Sequence, residues 1–371
     1  MKKLLDAMTT GKKYTVIMTI FPIVCAFLVA SIILLLTGLS PADAFKGIFK
    51  GITGMDLMLI GEKGFFNARI LGEYGVALMP IILCGLSVAF AFRTGLFNIG
   101  AEGQLMMGSV ASVSVALLLD LPSILHLPLA ILAGFLAGAL WGAIPGFLKA
   151  RFRVHEVVVC IMLNYVGLSL SGLWISKLPG FASMKTPMIP ASASLKSEFL
   201  SSITANSRFH WGFVIVLASL FLFYYIIEKT AFGFELRAVG NSQDAARYAG
   251  IKVERSIVLS MMISGGFAGL AGSILTLGTF GFGRYLGAFE GYGFTGIAVA
   301  LAGGNSALGV FLSALVFGGL DNSGRLLQVK KIPLEITMII SALIILFIAM
   351  KDGFKDILMN MKKDLAEKGE K

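Results

Sequence analysis

Apolar runs of about 20 residues, separated by polar segments, recur along almost the whole of this 371-residue chain. A run of this length crosses the hydrocarbon core of a bilayer as an α-helix, because only a helix satisfies its own backbone hydrogen bonds in lipid. Only 14% of the residues are charged, against about 25% in soluble proteins. The sequence therefore predicts an all-α, polytopic transmembrane helical bundle in a single domain, residues 1–371.

Ten apolar runs are candidate spans, and the first of them could be confused with a signal peptide. It is preceded by Lys12 and Lys13, but it is longer than the roughly 7–15 apolar residues of a signal peptide, so we expect an uncleaved transmembrane helix. The connection between the eighth and ninth runs is very short. The runs are 14–37, 74–92, 100–119, 128–148, 157–175, 211–227, 256–279, 288–304, 306–324 and 333–350.

The positive charges of the chain predict its orientation. If the N-terminal segment 1–13 is cytoplasmic, more than half of the 31 Lys and Arg residues lie on that side, including those of a cytoplasmic loop at 228–255 and a cytoplasmic tail at 351–371. The net charge of +10 is therefore explained by cations that face the anionic headgroups of the lipid bilayer. We expect no nucleic acid partner. The predicted location is the cell (plasma) membrane, multi-pass, with both termini cytoplasmic.

Small residues recur every four positions in the fourth and seventh runs. This spacing places them on one helix face, where a neighbouring backbone can approach closely. The pattern therefore predicts tight helix packing. The residues are Gly134, Gly138, Gly142 and Gly146 in the fourth run, and Gly265, Gly269 and Ser273 in the seventh.

Two glycine-interrupted stretches, 94–104 and 287–296, each open an apolar run in opposite halves of the chain. The first contains Gly-Ala-Glu-Gly and the second Gly-Ala-Phe-Glu-Gly. Transporters often carry broken helices at matching places of two halves, where irregular backbone lines the pathway. An internal repeat with broken helices and a coincidence among 44 glycines both remain open.

The polar loop at 228–255 contains signals for a short helix. Gly240 can end one helix, Asn241 or Ser242 can cap the next, and Gly250 can stop it. The predicted short helix is rich in small side chains and can therefore lie in a groove of a partner. Its role would be to transmit the motion of that partner to the bundle.

The stretch 232–251, FGFELRAVGNSQDAARYAGI, resembles the coupling loop of ATP-binding-cassette importer permeases of the branched-chain amino acid/ribose family. The stretch 93–104, RTGLFNIGAEGQ, resembles the nucleoside and simple-sugar branch of that family, in particular general nucleoside permeases. The likeness extends over residues 15–350.

This resemblance implies three protein partners, namely a second homologous permease subunit, a cytoplasmic ATP-binding subunit and an extracytoplasmic substrate-binding lipoprotein. It also implies that the short helix after the sixth run docks on the ATP-binding subunit. The expected coupling residues are Arg237, Gly240, Asn241, Ser242, Asp244, Ala245, Ala246 and Gly250.

The resemblance further implies that the first glycine-interrupted stretch lies near the substrate path. Amide side chains there can hydrogen-bond ribose hydroxyls or base edges, and phenylalanines can stack on a base. Glu102 is expected to face the pathway, as intramembrane acids usually do, while Glu290 stays undecided between pathway and interface. The expected substrate-path residues are Phe92, Phe97, Asn98, Glu102, Gln104 and Phe294.

No motif for catalysis is found in the sequence. A nucleotide-binding loop GxxxxGK[ST] is absent, so we expect ATP hydrolysis by a partner, no catalytic or metal site, and no cofactor. The predicted function is nucleoside import by a permease subunit. A ribose- or galactose-type sugar permease is the alternative within the family, and an ion-coupled secondary transporter, with Glu102 as its titrating acid, is the alternative outside it.

Overall fold

The computed structural model describes residues 12–60, 64–329, 332–333 and 335–349. Within them the chain forms fourteen α-helices, and no strand beyond isolated β-bridges, which confirms the all-α prediction. The predicted tail, 351–371, and most of the predicted N-terminal segment, 1–13, lie outside the described residues. The helices are α1 Lys12–Leu36, α2 Pro41–Thr53, α3 Ala68–Arg93, α4 Ala101–Leu118, α5 Ser123–Phe152, α6 Glu156–Ile175, α7 Glu198–Ile203, α8 Gly212–Lys229, α9 Ala231–Asn241, α10 Gln243–Tyr248, α11 Val253–Ile274, α12 Tyr292–Ala302, α13 Ala307–Val329 and α14 Glu335–Ala349.

Each of the ten apolar runs coincides with a helix. Seven helices are long and apolar enough to cross a membrane, namely α3, α4, α5, α6, α8, α13 and α11 together with its π-helical continuation Leu275–Phe280. The other three runs correspond to α1, α12 and α14. Helix α12 has 11 residues, about 16 Å at 1.5 Å per residue, so the predicted eighth span crosses only about half of a 30 Å hydrocarbon core.

The helices divide into an inner and an outer set. Within an apolar 18-residue stretch of each helix, 83% of the residues of α3 are buried and 72% of those of α11. In the corresponding stretches of α5 and α8, only 28% are buried. A helix that is apolar all round and buried lies at the centre of a bundle, and one that exposes apolar side chains faces lipid or a partner. Helices α3 and α11 therefore form the centre.

The glycine-rich faces of α5 and α11 pack directly against each other. A Cβ atom added at Gly138 would meet the Gly265 carbonyl oxygen and the Gly269 Cα, and one added at Gly269 would meet the carbonyl oxygen of Gly134. These neighbours are backbone atoms, which cannot rotate away. The predicted close approach is confirmed, and the structure adds that the two stripes are partners.

We expect Gly138→Ala to lower the free energy of unfolding by about 1–3 kcal/mol, the usual cost of overpacking. The matched control is Gly287→Ala, since a Cβ at Gly287 has no atom within 4 Å and should change stability little. Thermal unfolding of the purified variants in detergent measures both effects. Equal melting temperatures for the two variants would contradict the packing argument.

The two long connections, 38–72 and 176–210, lie at one end of the bundle, and the segment that contains α9 and α10 lies at the other. Near the start of α3, Glu73 accepts hydrogen bonds from Arg208 of the 176–210 connection, with the Arg208 Nη2 at 2.6 Å. At the other end, the end of α3 meets the end of α8 through an ion pair between Arg93 and Glu228. Asn322 of α13 donates to the carbonyl oxygens of Gly51 and Ile70, so the 38–72 connection lies at the same end as Arg208.

Candidate functional site

The two glycine-interrupted stretches meet at the carboxylate of Glu102. This side chain lies in the first turn of α4, and it is fully buried. One oxygen accepts a hydrogen bond from the backbone N–H of Gly291 at 2.8 Å, and the other accepts one from Gly293 at 2.7 Å. Since Gly291 is the N-cap of α12, a single carboxylate caps one helix N-terminus while standing in the first turn of another.

This arrangement is electrostatically favourable. Free backbone N–H groups and the helix dipole give every helix N-terminus a partial positive charge, which favours a nearby carboxylate. Here the N-termini of α4 and α12 both face Glu102. Both stretches therefore interrupt the helical pattern as expected and contact each other, while an internal repeat stays a prediction.

Asn98 and Gln104 form a closed pair of amides in the bundle. The Asn98 Nδ2 donates to the Gln104 Oε1 at 2.8 Å, and the Gln104 Nε2 donates to the Asn98 Oδ1 at 3.0 Å. The Asn98 Nδ2 also lies 2.7 Å from the Ser264 Oγ of α11. Both amides are buried, so in this conformation they hold the irregular segment between α3 and α4 against α11 instead of facing open space.

The expected aromatic residues separate into two groups. Phe92 and Phe97 stack on each other with ring centroids 5.2 Å apart, at the end of α3. Phe294 lies elsewhere, at the start of α12, where its ring is edge-on to Phe289 at 5.8 Å. Phe289 in turn is edge-on to Tyr165 of α6 at 5.0 Å. Phe294 and Tyr165 are both exposed, so the second group, Tyr165, Phe289 and Phe294, presents an accessible aromatic surface.

The acid left undecided in the sequence, Glu290, lies beside this aromatic surface. It forms an ion pair with Arg284 at 2.7 Å, and its side chain is mostly buried. The guanidinium of Arg284 also lies over the ring of Phe280, 3.5 Å from the centroid. Glu290 is thus a paired group near the N-terminus of α12.

Sequence reasoning missed Asp321. This residue lies in the apolar helix α13 and is exposed on the surface of the chain. A carboxylate in a membrane helix usually marks a pathway or a polar partner. The same rule that singled out Glu102 would have found Asp321, the only acidic residue in the ninth run.

The segment after α8 folds as two helices, α9 and α10, as its sequence indicates. The Ser242 side chain caps α10 by accepting a hydrogen bond from the Ala245 N–H at 3.3 Å. Gly250 has a φ of 83° and follows the end of α10, so the predicted cap and stop are confirmed. Asn241 is the last residue of α9.

Gly240 does not end α9, contrary to the prediction. It lies inside the last turn, and a Cβ there would meet the Arg93 carbonyl oxygen at 2.5 Å and the Gly95 nitrogen at 3.0 Å. Its physical role is therefore close packing of α9 on the break after α3.

The two faces of α10 differ in what they contact. Ala246 is buried in a small apolar cluster with Leu96 and Val253, so it faces the bundle and cannot lie in the groove of a partner. Asp244, Ala245 and Tyr248 are exposed, Tyr248 to 95%. The surface available for a partner is consequently this second face.

The α9–α10 segment is tied to the bundle through Glu228. This carboxylate at the end of α8 forms ion pairs with Arg93 of α3 and with Arg237 of α9, the latter at 2.8 Å. Arg237 is one of the expected coupling residues, and its guanidinium is directed at Glu228; its role in coupling stays a prediction. A displacement of α9 and α10 would therefore act directly on the ends of α3 and α8.

A bundle of membrane-length helices with a broken-helix centre, and with α9 and α10 packed at one end, is typical of membrane transport proteins. Residues 70–349 match the family model described as "Branched-chain amino acid transport system / permease component". The chain belongs to this family, and it is a multi-pass permease subunit of an ATP-binding-cassette importer.

Three relatives are similar over nearly the whole chain. The guanosine ABC transporter permease protein NupP of Bacillus subtilis is 45% identical over 342 residues, covering 92% of this chain and 95% of that protein. The nucleoside ABC transporter permease protein NupB of Lactococcus lactis is 37% identical, covering 92% of each. The glucose ABC transporter permease protein TsgB13 of Haloferax volcanii is 33% identical, covering 91% of this chain and 87% of that protein.

Proposed function

We propose that the chain forms part of the translocation path of a nucleoside importer. The observation that carries this proposal is the 45% identity to a guanosine permease across 92% of the chain. The exposed aromatic surface of Tyr165, Phe289 and Phe294 supports it, since stacking on an aromatic side chain contributes about 1–3 kcal/mol per base.

Within this proposal, Phe294 and Glu102 mark the substrate path at the start of α12. The closed amide pair of Asn98 and Gln104 would act by holding the break between α3 and α4, next to the stacked pair Phe92 and Phe97. Opening of that break would release amide donors and acceptors to a ribose or base. Glu102 would stay in place and keep the two helix N-termini together.

The end of the bundle that carries α10 lies in the cytoplasm, together with both chain termini. A separate ATP-binding subunit docks on Asp244, Ala245 and Tyr248 and moves α9 and α10. Glu228 transmits that movement through its ion pairs with Arg93 and Arg237. A substrate-binding lipoprotein delivers the nucleoside at the opposite end.

A second homologous permease subunit completes the path. Asp321 is exposed on the surface of a membrane helix, where a carboxylate requires water or a polar partner. A second subunit packed beside α13, with an aqueous path between the two chains, satisfies that requirement.

A sugar substrate is the second candidate, because the glucose permease TsgB13 is 33% identical over 91% of the chain. The ion-coupled alternative has no such support from the relatives. Cells that contain the complete importer should take up labelled guanosine, and unlabelled guanosine or uridine should abolish that uptake. Glucose, ribose and galactose at the same concentration should leave it unchanged. Saturable glucose uptake without nucleoside uptake would show that the substrate is a sugar and not a nucleoside.

A further inference from the structure

A cavity of about 1180 Å³ lies beside α10, between the end of α5 and the beginning of α11. Its wall contains five cations and three acids. The acids are neutralised locally, because Lys149 pairs with Glu156 at 2.5 Å and Arg247 pairs with Glu254 at 2.7 Å and with Asp244 at 3.8 Å. The remaining cations are Arg151, Arg153 and Arg255.

Those three arginines have no ion-pair partner among the residues that the structure describes. Three guanidinium groups around one cavity form a strong site for an anion with several oxygen acceptors, since guanidinium and phosphate pair through parallel hydrogen bonds. The cavity therefore has the charge and the donor groups that a phosphate group requires.

The cavity continues into an apolar stripe on the outside of α5. Phe147 lines the cavity, and exposed apolar side chains follow it along one helix face at spacings of three and four residues. The stripe consists of Phe147, Ile144, Leu140, Leu136, Leu132 and Leu129, all of them exposed. A helix face of this kind in a membrane protein contacts acyl chains, so the ligand has an anionic head and an apolar body.

We propose that this cavity binds the headgroup of an anionic phospholipid, whose acyl chains lie along the α5 stripe. The phosphate contacts Arg151, Arg153 and Arg255, and the headgroup reaches Arg247 of α10. Basic pockets between membrane helices recognise anionic lipid headgroups in this way. The lipid would thereby restrain α10, a consequence that rests on the proposed function, whereas the binding itself does not.

The test uses the full chain, purified in detergent and titrated with phosphatidylglycerol or phosphatidylcholine, with bound lipid counted by native mass spectrometry. The variant is Arg151→Gln/Arg153→Gln/Arg255→Gln. The control, Arg69→Gln/Lys177→Gln/Lys229→Gln, makes the same charge change outside the cavity. Each cation near an anionic lipid raises the affinity for that lipid about fivefold. The cavity variant, which lacks three cations, should therefore bind phosphatidylglycerol on the order of 100-fold more weakly. The control variant should bind it as the unaltered chain does.

A second variant, with the three arginines replaced by lysine, keeps the charge and should retain binding to within about tenfold. The glutamine variant should melt in detergent at the temperature of the unaltered chain, which separates a loss of the lipid site from a folding defect. Equal phosphatidylglycerol binding by the cavity and control variants would overturn the proposal. Displacement of the lipid by an equal concentration of inorganic phosphate would show a site for free phosphate and would also overturn it. If the cavity variant keeps the lipid but loses the ATP-binding subunit on purification, the cavity belongs to a protein interface and the proposal fails.

Discussion

Tyr248→Ala should reduce nucleoside uptake at least tenfold while leaving the permease inserted and folded. Tyr248 is 95% exposed on the outer face of α10, so its ring contributes little to the stability of the isolated chain. In protein–protein interfaces, truncation of a central tyrosine commonly costs about 2 kcal/mol or more, which is about 30-fold in affinity. The loss should therefore appear in the complex and not in the subunit.

Three measurements separate these effects, namely uptake of labelled guanosine, the amount of ATP-binding subunit that copurifies, and the melting temperature of the purified chain. Tyr248→Phe keeps the ring and should keep most of the uptake, so it serves as the matched control. Full uptake and full copurification by Tyr248→Ala would show that this face of α10 does not dock on the ATP-binding subunit.

The face that α10 presents could not be read from the sequence alone. Ser242 and Gly250 are local signals, since a side-chain cap and a positive φ depend on neighbouring residues only, and both were found. The direction of Ala246 is decided by packing against Leu96 and Val253, which come from other segments. Two adjacent alanines therefore look equivalent in the sequence, although one is buried and the other exposed.

The substrate-path prediction shows the same limit. Apolar run length located the helices, because the bilayer imposes a length on each of them. The polar residues of the broken segment were also located, but the pairing of Asn98 with Gln104 depends on a non-helical turn that brings together residues six positions apart. From the sequence alone, two amides that hydrogen-bond to each other cannot be distinguished from two amides that are free to bind a ligand.

The contact of Glu102 with α12 could not be predicted from the sequence at all. Its hydrogen-bond partner Gly291 is 189 positions away, and no local pattern encodes such a distance. The two similar strings, Gly-Ala-Glu-Gly and Gly-Ala-Phe-Glu-Gly, drew attention to both stretches. Only the fold shows that the acid of the first stretch binds the backbone of the second.

Because of this contact, we expect replacement of Glu102 to destabilise the bundle strongly. Glu102→Ala leaves the partly buried N–H of Gly291 and the buried N–H of Gly293 without their acceptor. A hydrogen bond to a charged group contributes about 1.5–3 kcal/mol, so the loss of two should lower the free energy of unfolding by about 3–6 kcal/mol. Uptake should be lost with it, because the start of α12 is no longer held against α4.

Two further variants identify the cause of that loss. Glu102→Gln retains one oxygen acceptor but turns an amide N–H₂ towards a backbone donor, so its destabilisation should be about half that of Glu102→Ala. Glu235→Gln removes a carboxylate of similar size from the exposed surface of α9, and it should change the stability by no more than about 0.5 kcal/mol. Thermal unfolding in detergent ranks the three variants. If Glu102→Ala has the same melting temperature as the unaltered chain, the backbone N–H groups of α12 have other acceptors. In that case the carboxylate does not hold the two helix N-termini together.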